Sequence, residues 1–166
     1  KAKPGQLKFA SGGNGTPAHL GGELFKRETG VDIAHIPYKG AVAGVISLLT
    51  GDVDMMFGAT VAVSPHIKSG KLRALATIAP RRIPAYPDVP TVAELGYANA
   101  VVAPWAGVVA PAGTPKHAVA RLHLEMKKIG AMPENKQRLE AIGLEGADVG
   151  PEEFGALIRS EMQKWI

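Results

Sequence analysis

The sequence predicts an α/β layered domain on a mainly parallel sheet, followed by a helical C-terminal segment. Three observations carry this. Residues 7 to 78 repeat one unit: an apolar strand, a polar or Gly-rich turn, and a helix closed by glycine. The strands follow one another so closely through helices that they demand βαβ crossovers, hence parallel neighbours with both faces covered. Beyond residue 113 the start signals are all helical, with proline at or near the first position.

Strands are expected at LKFAS (7–11), VDIAHI (31–36), VDMMFG (53–58) and LRALATI (72–78). Between them the pattern predicts helices at 17–29, 41–50 and 64–69, ended by Gly30, Gly51 and Gly70, the residue type that takes the left-handed conformation past a helix end. Leu20, Leu24 and Phe25 in the first helix, and Val45, Ile46, Leu48 and Leu49 in the second, are spaced to bury one stripe against the sheet. From 80 to 91, PRRIPAYPDVPT holds too many prolines for a helix interior or central strand and reads as a long surface connection. A short helix, TVAEL, is expected next, then an extended stretch from Ala98 to Ala110 running between two lobes. Helices then open at Thr114-Pro115, with Val119, Leu122, Met126 and Ile129 on one face, at Pro133, stopping at Gly143, and at Pro151, where Phe154, Ile158 and Trp165 recur at helical spacing.

Composition excludes several classes. The 46% hydrophobic and 20% charged content is that of a globular chain. No apolar run reaches the roughly 18 residues of a membrane span, and the opening KAKPGQLKFA has no signal core. Cysteine is absent, so disulfides and thiolate metal sites are excluded. A net charge of +4 favours anionic partners, but the basic residues are scattered without interleaved aromatics, and nucleic acid is not expected.

The most informative segment is Ser11-Gly12-Gly13-Asn14-Gly15-Thr16-Pro17, which joins a strand to a helix at the strand's carboxyl end, the edge where open α/β sheets bind ligands. Its glycines let the backbone approach a ligand and turn amides inward, Thr16 is a good N-cap, and Pro17 suits the first helical position. Free amides and the helix dipole would cradle an anion. A merely well-capped tight turn is the plainer reading. The loop lacks the Gly-Lys-Ser/Thr of a Walker A motif and departs from GxGxxG, so nucleotides are disfavoured. Pro37-Tyr38-Lys39-Gly40 opens the next helix on the same rim, offering a phenol, a cation and a close backbone approach, although a solvated surface lysine is the favoured reading of Lys39. Gly58-Ala59-Thr60 completes a row of three turns. The five histidines show no HExxH or other close ligand spacing and there is no GxSxG elbow, so neither a catalytic group nor a metal site is expected. Each histidine reads as structural or exposed, except that His19, in the first turn after the loop, is placed to orient it.

The run SGGNGTPAHLGGELFKRETGVDIAHIPYKG, with LLTGDVDMMF, PHIKSGKLRALA, YPDVPTVAELGY, WAGVVAPAGTP and EEFGALIRSEMQKW, resembles the substrate-binding receptors of tripartite tricarboxylate transporters, the Bug family. The resemblance runs in order along nearly the whole chain. It implies a lobe of the type II periplasmic-binding-protein kind, with residues 1–104 as the second, ligand-gripping lobe. Residues 105–166 become the hinge and C-terminal return segment of an incomplete first lobe, the family's N-terminal stretch being absent. It further implies a non-enzymatic, cofactor-free periplasmic receptor that closes on a small carboxylate (a di- or tricarboxylic, amino-acid or aromatic acid) and delivers it to membrane transporter subunits. The ligand loops correspond to Ser11, Gly13, Asn14, Gly15 and Thr16, to Tyr38, Lys39 and Gly40, and to Ala59. Dimerisation through the incomplete lobe is an accompanying expectation. The other readings are an effector-sensing domain of a transcription regulator, and an enzyme acting on anionic metabolites.

Overall fold

A computed structural model describes residues 4–103, 105–141, 144 and 146–165. The chain divides into two compact units, residues 1–105 and 106–166.

The first unit is built on a three-stranded sheet of β1 (Leu7–Ser11), β2 (Ile33–Pro37) and β3 (Met55–Met56), in the order β2-β1-β3. Both pairings are parallel: Phe9 lies opposite His35 in β2 and opposite Met55 in β3. Helix α1 (Pro17–Thr29) joins β1 to β2, α2 (Ala41–Thr50) joins β2 to β3, and α3 (Thr60–Lys68) follows β3.

Successive residues of a strand point to opposite faces of its sheet. Phe9 and Ala10 of the central strand are both fully buried, so both faces are covered. Gly22 of α1 lies over the Phe9 ring, whereas Gly44 of α2 lies over the Ala10 side chain and the Met56 thioether, which places α1 and α2 on opposite faces. The first contact needs glycine and the second is tight. A Cβ on Gly22 would stand 2.3 Å from the Phe9 ring, and one on Gly44 would stand 3.1 Å from the Met56 methyl.

Expectation and structure agree for β1, α1 and α2, and Gly30 and Gly51 take the left-handed conformation just past their helices. The second strand is shorter than expected and β3 is only two residues long. Helix α3 starts four residues earlier than its pattern suggested and carries Pro65 inside it. Residues 72–78 form no regular strand. Thr77 makes an isolated parallel bridge to Thr91, accepting from Val92 and donating to the Pro90 carbonyl. Pro90 has no amide proton, so the ladder cannot continue through it.

Nor is TVAEL a helix. Thr91 and Glu94 form the reciprocal pair of a capping box, with Thr91 N–H donating to the Glu94 carboxylate at 2.7 Å and Glu94 N–H donating to Thr91 Oγ1 at 3.1 Å. The chain makes a single turn and leaves through Gly96 at φ +92°. Arg82 grips the same carboxylate and the Pro87 carbonyl, tying the proline-rich loop to this turn. Ala98–Ala100 is a short 3-10 helix rather than extended chain. On α2, Ile46 and Leu49 are exposed rather than buried, and the inward residues are Gly44, Val45 and Ser47.

The second unit contains α4 (Lys116–Ala131), α5 (Pro133–Ala141) and α6 (Pro151–Trp165). Phe154 of α6 lies on Gly107, where a Cβ would come within 2.1 Å of the ring. The apolar face of α4 is largely open, with Leu122, Met126 and Ile129 between 45% and 52% exposed. Gly143 and the side chain of Trp165 lie outside the described residues.

The glycine contacts yield a graded outcome. Gly22→Ala is expected to destabilise the first unit by about 1–3 kcal/mol, because the fully buried Phe9 ring cannot retreat. Gly21→Ala should cost less, since its Cβ meets only the flexible tip of Ile78. Denaturant midpoints of the two variants check the order.

Candidate functional site

Parallel pairing continues past the strand ends and draws the loops together. Beyond the Ser11–Pro37 register pair, Tyr38 N–H donates to the Ser11 carbonyl at 3.1 Å and Gly40 N–H to the Gly12 carbonyl at 3.1 Å. On the other side of β1, Phe57 N–H donates to the Ala10 carbonyl at 3.2 Å. The turns at 11–16, 37–40 and 57–60 thus share the carboxyl edge of one sheet. A 2-1-3 strand order also sends the connections on either side of β1 to opposite faces, the topology at whose switch point open α/β sheets bind ligands.

The loop after β1 is tied internally. Ser11, fully buried, accepts from Gly13 N–H at 3.1 Å and donates to the Gly13 carbonyl at 3.2 Å through one hydroxyl. Thr16 Oγ1 donates to the same carbonyl at 2.7 Å and caps α1 by accepting from His19 N–H at 3.3 Å. Gly15 N–H donates to His19 Nδ1 at 3.1 Å, so His19 does orient the loop. Gly13 and Gly15 have φ of +131° and +76°, which other residues rarely adopt.

Two amides expected to face a ligand, those of Gly13 and Gly15, are therefore engaged within the loop. Asn14 is exposed at its tip. Tyr38 turns its hydroxyl to buried Ser47 of α2, and its ring anchors the loop to that helix. Lys39 is exposed, Gly40 is the N-cap of α2 at φ +100°, and Ala59 is the N-cap of α3. Neither of these two helices has a side-chain cap, unlike α1. Their first-turn amides carry the positive end of each dipole without a competing hydroxyl. Gly12, one of the loop's three glycines but not singled out among them, lies close against the start of α2: a Cβ there would lie 3.3 Å from the Ala41 nitrogen. A glycine inside a glycine-rich run carries no signal of which member is sterically required.

Beneath the loop, three rings stack on the α1 face of the sheet. Phe9 and His35 have centroids 4.8 Å apart, and His35 and His19 4.3 Å apart, with interplanar angles of 27° and 22°. His35 Nε2 lies 2.7 Å from Ser11 Oγ. Burial, then the neighbouring His19, hold the His35 imidazole below its ordinary 6.5; Glu23 opposes this and Lys26 reinforces it.

His19, Glu23 and His35 also offer ligand atoms within 4.8 Å of one another, a trio the spacing search missed because β2 supplies the third member. The hydrogen bonds oppose its use as a cation cradle. His19 Nδ1 accepts from Gly15, so its proton sits on Nε2, and Glu23 is paired with Lys26 at 3.0 Å.

This architecture is that of an α/β lobe of the periplasmic-binding-protein kind, with helix-opening loops gathered on one sheet edge. Protein BugT of Bordetella pertussis is 40% identical over 168 residues, spanning 99% of this chain and 51% of BugT. An R. palustris protein solved with adipate superposes with a TM-score of 0.92 at 30% identity, covering 99% of this chain and 55% of that one. MatC from Rhodopseudomonas palustris with bound malate gives 0.83 at 30% identity, covering 97% and 56%. The family model described as the tripartite tricarboxylate transporter family receptor matches residues 1–166, and the chain belongs to that family. It spans about half the length of the relatives first matched.

The lowered His35 pKa gives stability a definite pH slope. The unfolded chain binds the proton more readily than the folded one, so this contribution is complete above about pH 6.5 and is lost as pH falls through 6.5 towards the folded value. Thermal midpoints should therefore fall on acidification across that window. His35→Gln is expected to flatten that part of the profile while lowering the midpoint at neutral pH through loss of the ring stack.

Proposed function

We propose that this chain supplies one ligand-gripping lobe of a periplasmic receptor that captures a small carboxylate and presents it to the subunits of a tripartite tricarboxylate-type transporter. In this reading residues 1–104 are the second lobe, and 105–166 are the hinge and the segment that returns to the first. The observation that carries it is the gathering of three helix starts on one sheet edge, two of them without side-chain caps. Backbone amides at such ends hold anions through dipole and hydrogen bonds without any reactive side chain. Binding to structural relatives of adipate and of malate, both dicarboxylates, supports the ligand class.

The carboxylate sits between the 11–16 loop and the openings of α2 and α3. Lys39 adds long-range attraction from the rim, and Asn14 offers an amide side chain at the loop tip. Selectivity among di- and tricarboxylic, amino-acid and aromatic acids is set jointly with the opposing lobe. The apolar stripe of α4, with Leu122, Met126 and Ile129 half exposed, suits burial by the rest of the first lobe. Dimerisation through that stripe is the competing arrangement for this segment alone.

Calorimetry on the full-length receptor with malate, adipate and a tricarboxylate tests the proposal. At least one acid is expected to bind with exothermic, saturable heat; absence of binding across organic acids rejects it. Gly12→Ala should weaken that affinity about tenfold or more while shifting the unfolding midpoint little, because the added methyl pushes on the start of α2 without requiring a left-handed backbone. Unchanged affinity in this variant removes the α2 opening from the site. In light scattering, the 166-residue segment should self-associate at concentrations where the longer receptor is monomeric.

A further inference from the structure

The Phe9–His35–His19 stack does more than fill space, because each histidine ends in a hydrogen bond to the loop above it. Phe9 is fully buried and fixes the base. His35 Nε2 reaches Ser11 Oγ, and that hydroxyl already donates to the Gly13 carbonyl and accepts from Gly13 N–H. His19 receives Gly15 N–H on Nδ1, which therefore holds a lone pair. Residues 11 and 15 are thus bonded directly to the stack, and residue 13 through Ser11.

We propose that His19 is a positioning residue of the carboxylate site: through Nδ1 it fixes the Gly15 amide and thereby the curvature of the 11–16 loop. This deepens the binding reading above and rests on it for the ligand arm of the test. Gly15 occupies a left-handed conformation, and a Cβ built on it would meet nothing within 4 Å, so its side-chain direction is open. The hydrogen bond to His19 restrains it. His19 is in turn held by the stack beneath it, its ring centroid 4.3 Å from that of His35.

The experiment uses the full-length chain and two variants. His19→Asn keeps an acceptor at the Nδ1 position; His19→Leu keeps bulk and removes the acceptor. In the ligand-free protein, the Gly15 amide resonance is expected to stay closer to the parent's position in His19→Asn than in His19→Leu, where it is displaced. With malate or adipate, His19→Leu should bind about tenfold more weakly and His19→Asn within about threefold of the parent. A Gly15 resonance indifferent to His19→Leu overturns the proposal, as does equal affinity in the folded Leu variant. If the parent binds no organic acid, the receptor reading fails, and the Gly15 resonance still decides what His19 does. Should His19→Leu not fold, His19→Ala, which also removes the acceptor, carries the same comparison.

Discussion

The whole first unit depends on parallel pairing that does not stop where the strands do. Hydrogen bonds from Tyr38 to Ser11 and from Gly40 to Gly12 extend the β1–β2 ladder into the loops, and Phe57 to Ala10 does the same towards β3. A loop pinned by a neighbour's backbone loses conformational freedom that a ligand would otherwise have to remove on binding. Close approach at Gly12 accompanies the extension, since a Cβ there would lie 3.3 Å from the first amide nitrogen of α2. The scaffold and the candidate site are consequently one hydrogen-bonded object, anchored on a central strand whose Phe9 and Ala10 face opposite layers.

The packing of those layers follows from small residues. Gly21 and Gly22 let α1 lie directly on Phe9, Ile78 and Val102, while Gly44 brings α2 down on Ala10 and Met56. Side chains that read as inward by periodicity, Ile46 and Leu49, are displaced outward because the helix is turned by its glycine-bearing face. Hydrophobic patterning assigns a face by side-chain size, and it errs where close backbone approach outranks side-chain burial. The exposed Val42, Ile46 and Leu49 form an apolar ridge on α2 for this reason.

Legibility along the chain tracks how local the determining physics is. The helix from Pro17 to Thr29 was readable because its cap, first-turn proline and closing glycine lie within the segment, and the strand at 7–11 because it is an uninterrupted apolar run. Residues 72–78 look like a strand, yet their ladder depends on what lies opposite, and Pro90 there ends it. The TVAEL box carries a helix-start signature, and its Glu94 carboxylate is held below the usual range by the Thr91 amide and by Arg82. Those bonds stabilise a turn because Gly96 follows before a second helical turn can form. At the site, Thr16 and His19 were legible from the first-turn grammar. The His19–His35 contact was not, because it joins residues of α1 and β2 that only the sheet register brings together.

That contact alters which atoms of the loop are available. A glycine-rich turn before a helix suggests amides pointing at a ligand, yet Gly13 and Gly15 spend theirs on Ser11 and His19, and α1 spends its cap on Thr16. The two following helices have no such side chain: glycine caps one and alanine the other. An anion gains most where donors are ordered but unsatisfied, because no internal bond must break to receive it. The loop after β1 is therefore closed on itself by its own hydrogen bonds, whereas the openings of α2 and α3 keep first-turn amides with no side-chain cap. A loop already ordered by its bonds to Ser11, Thr16 and His19 has less conformational freedom left to lose in any binding event.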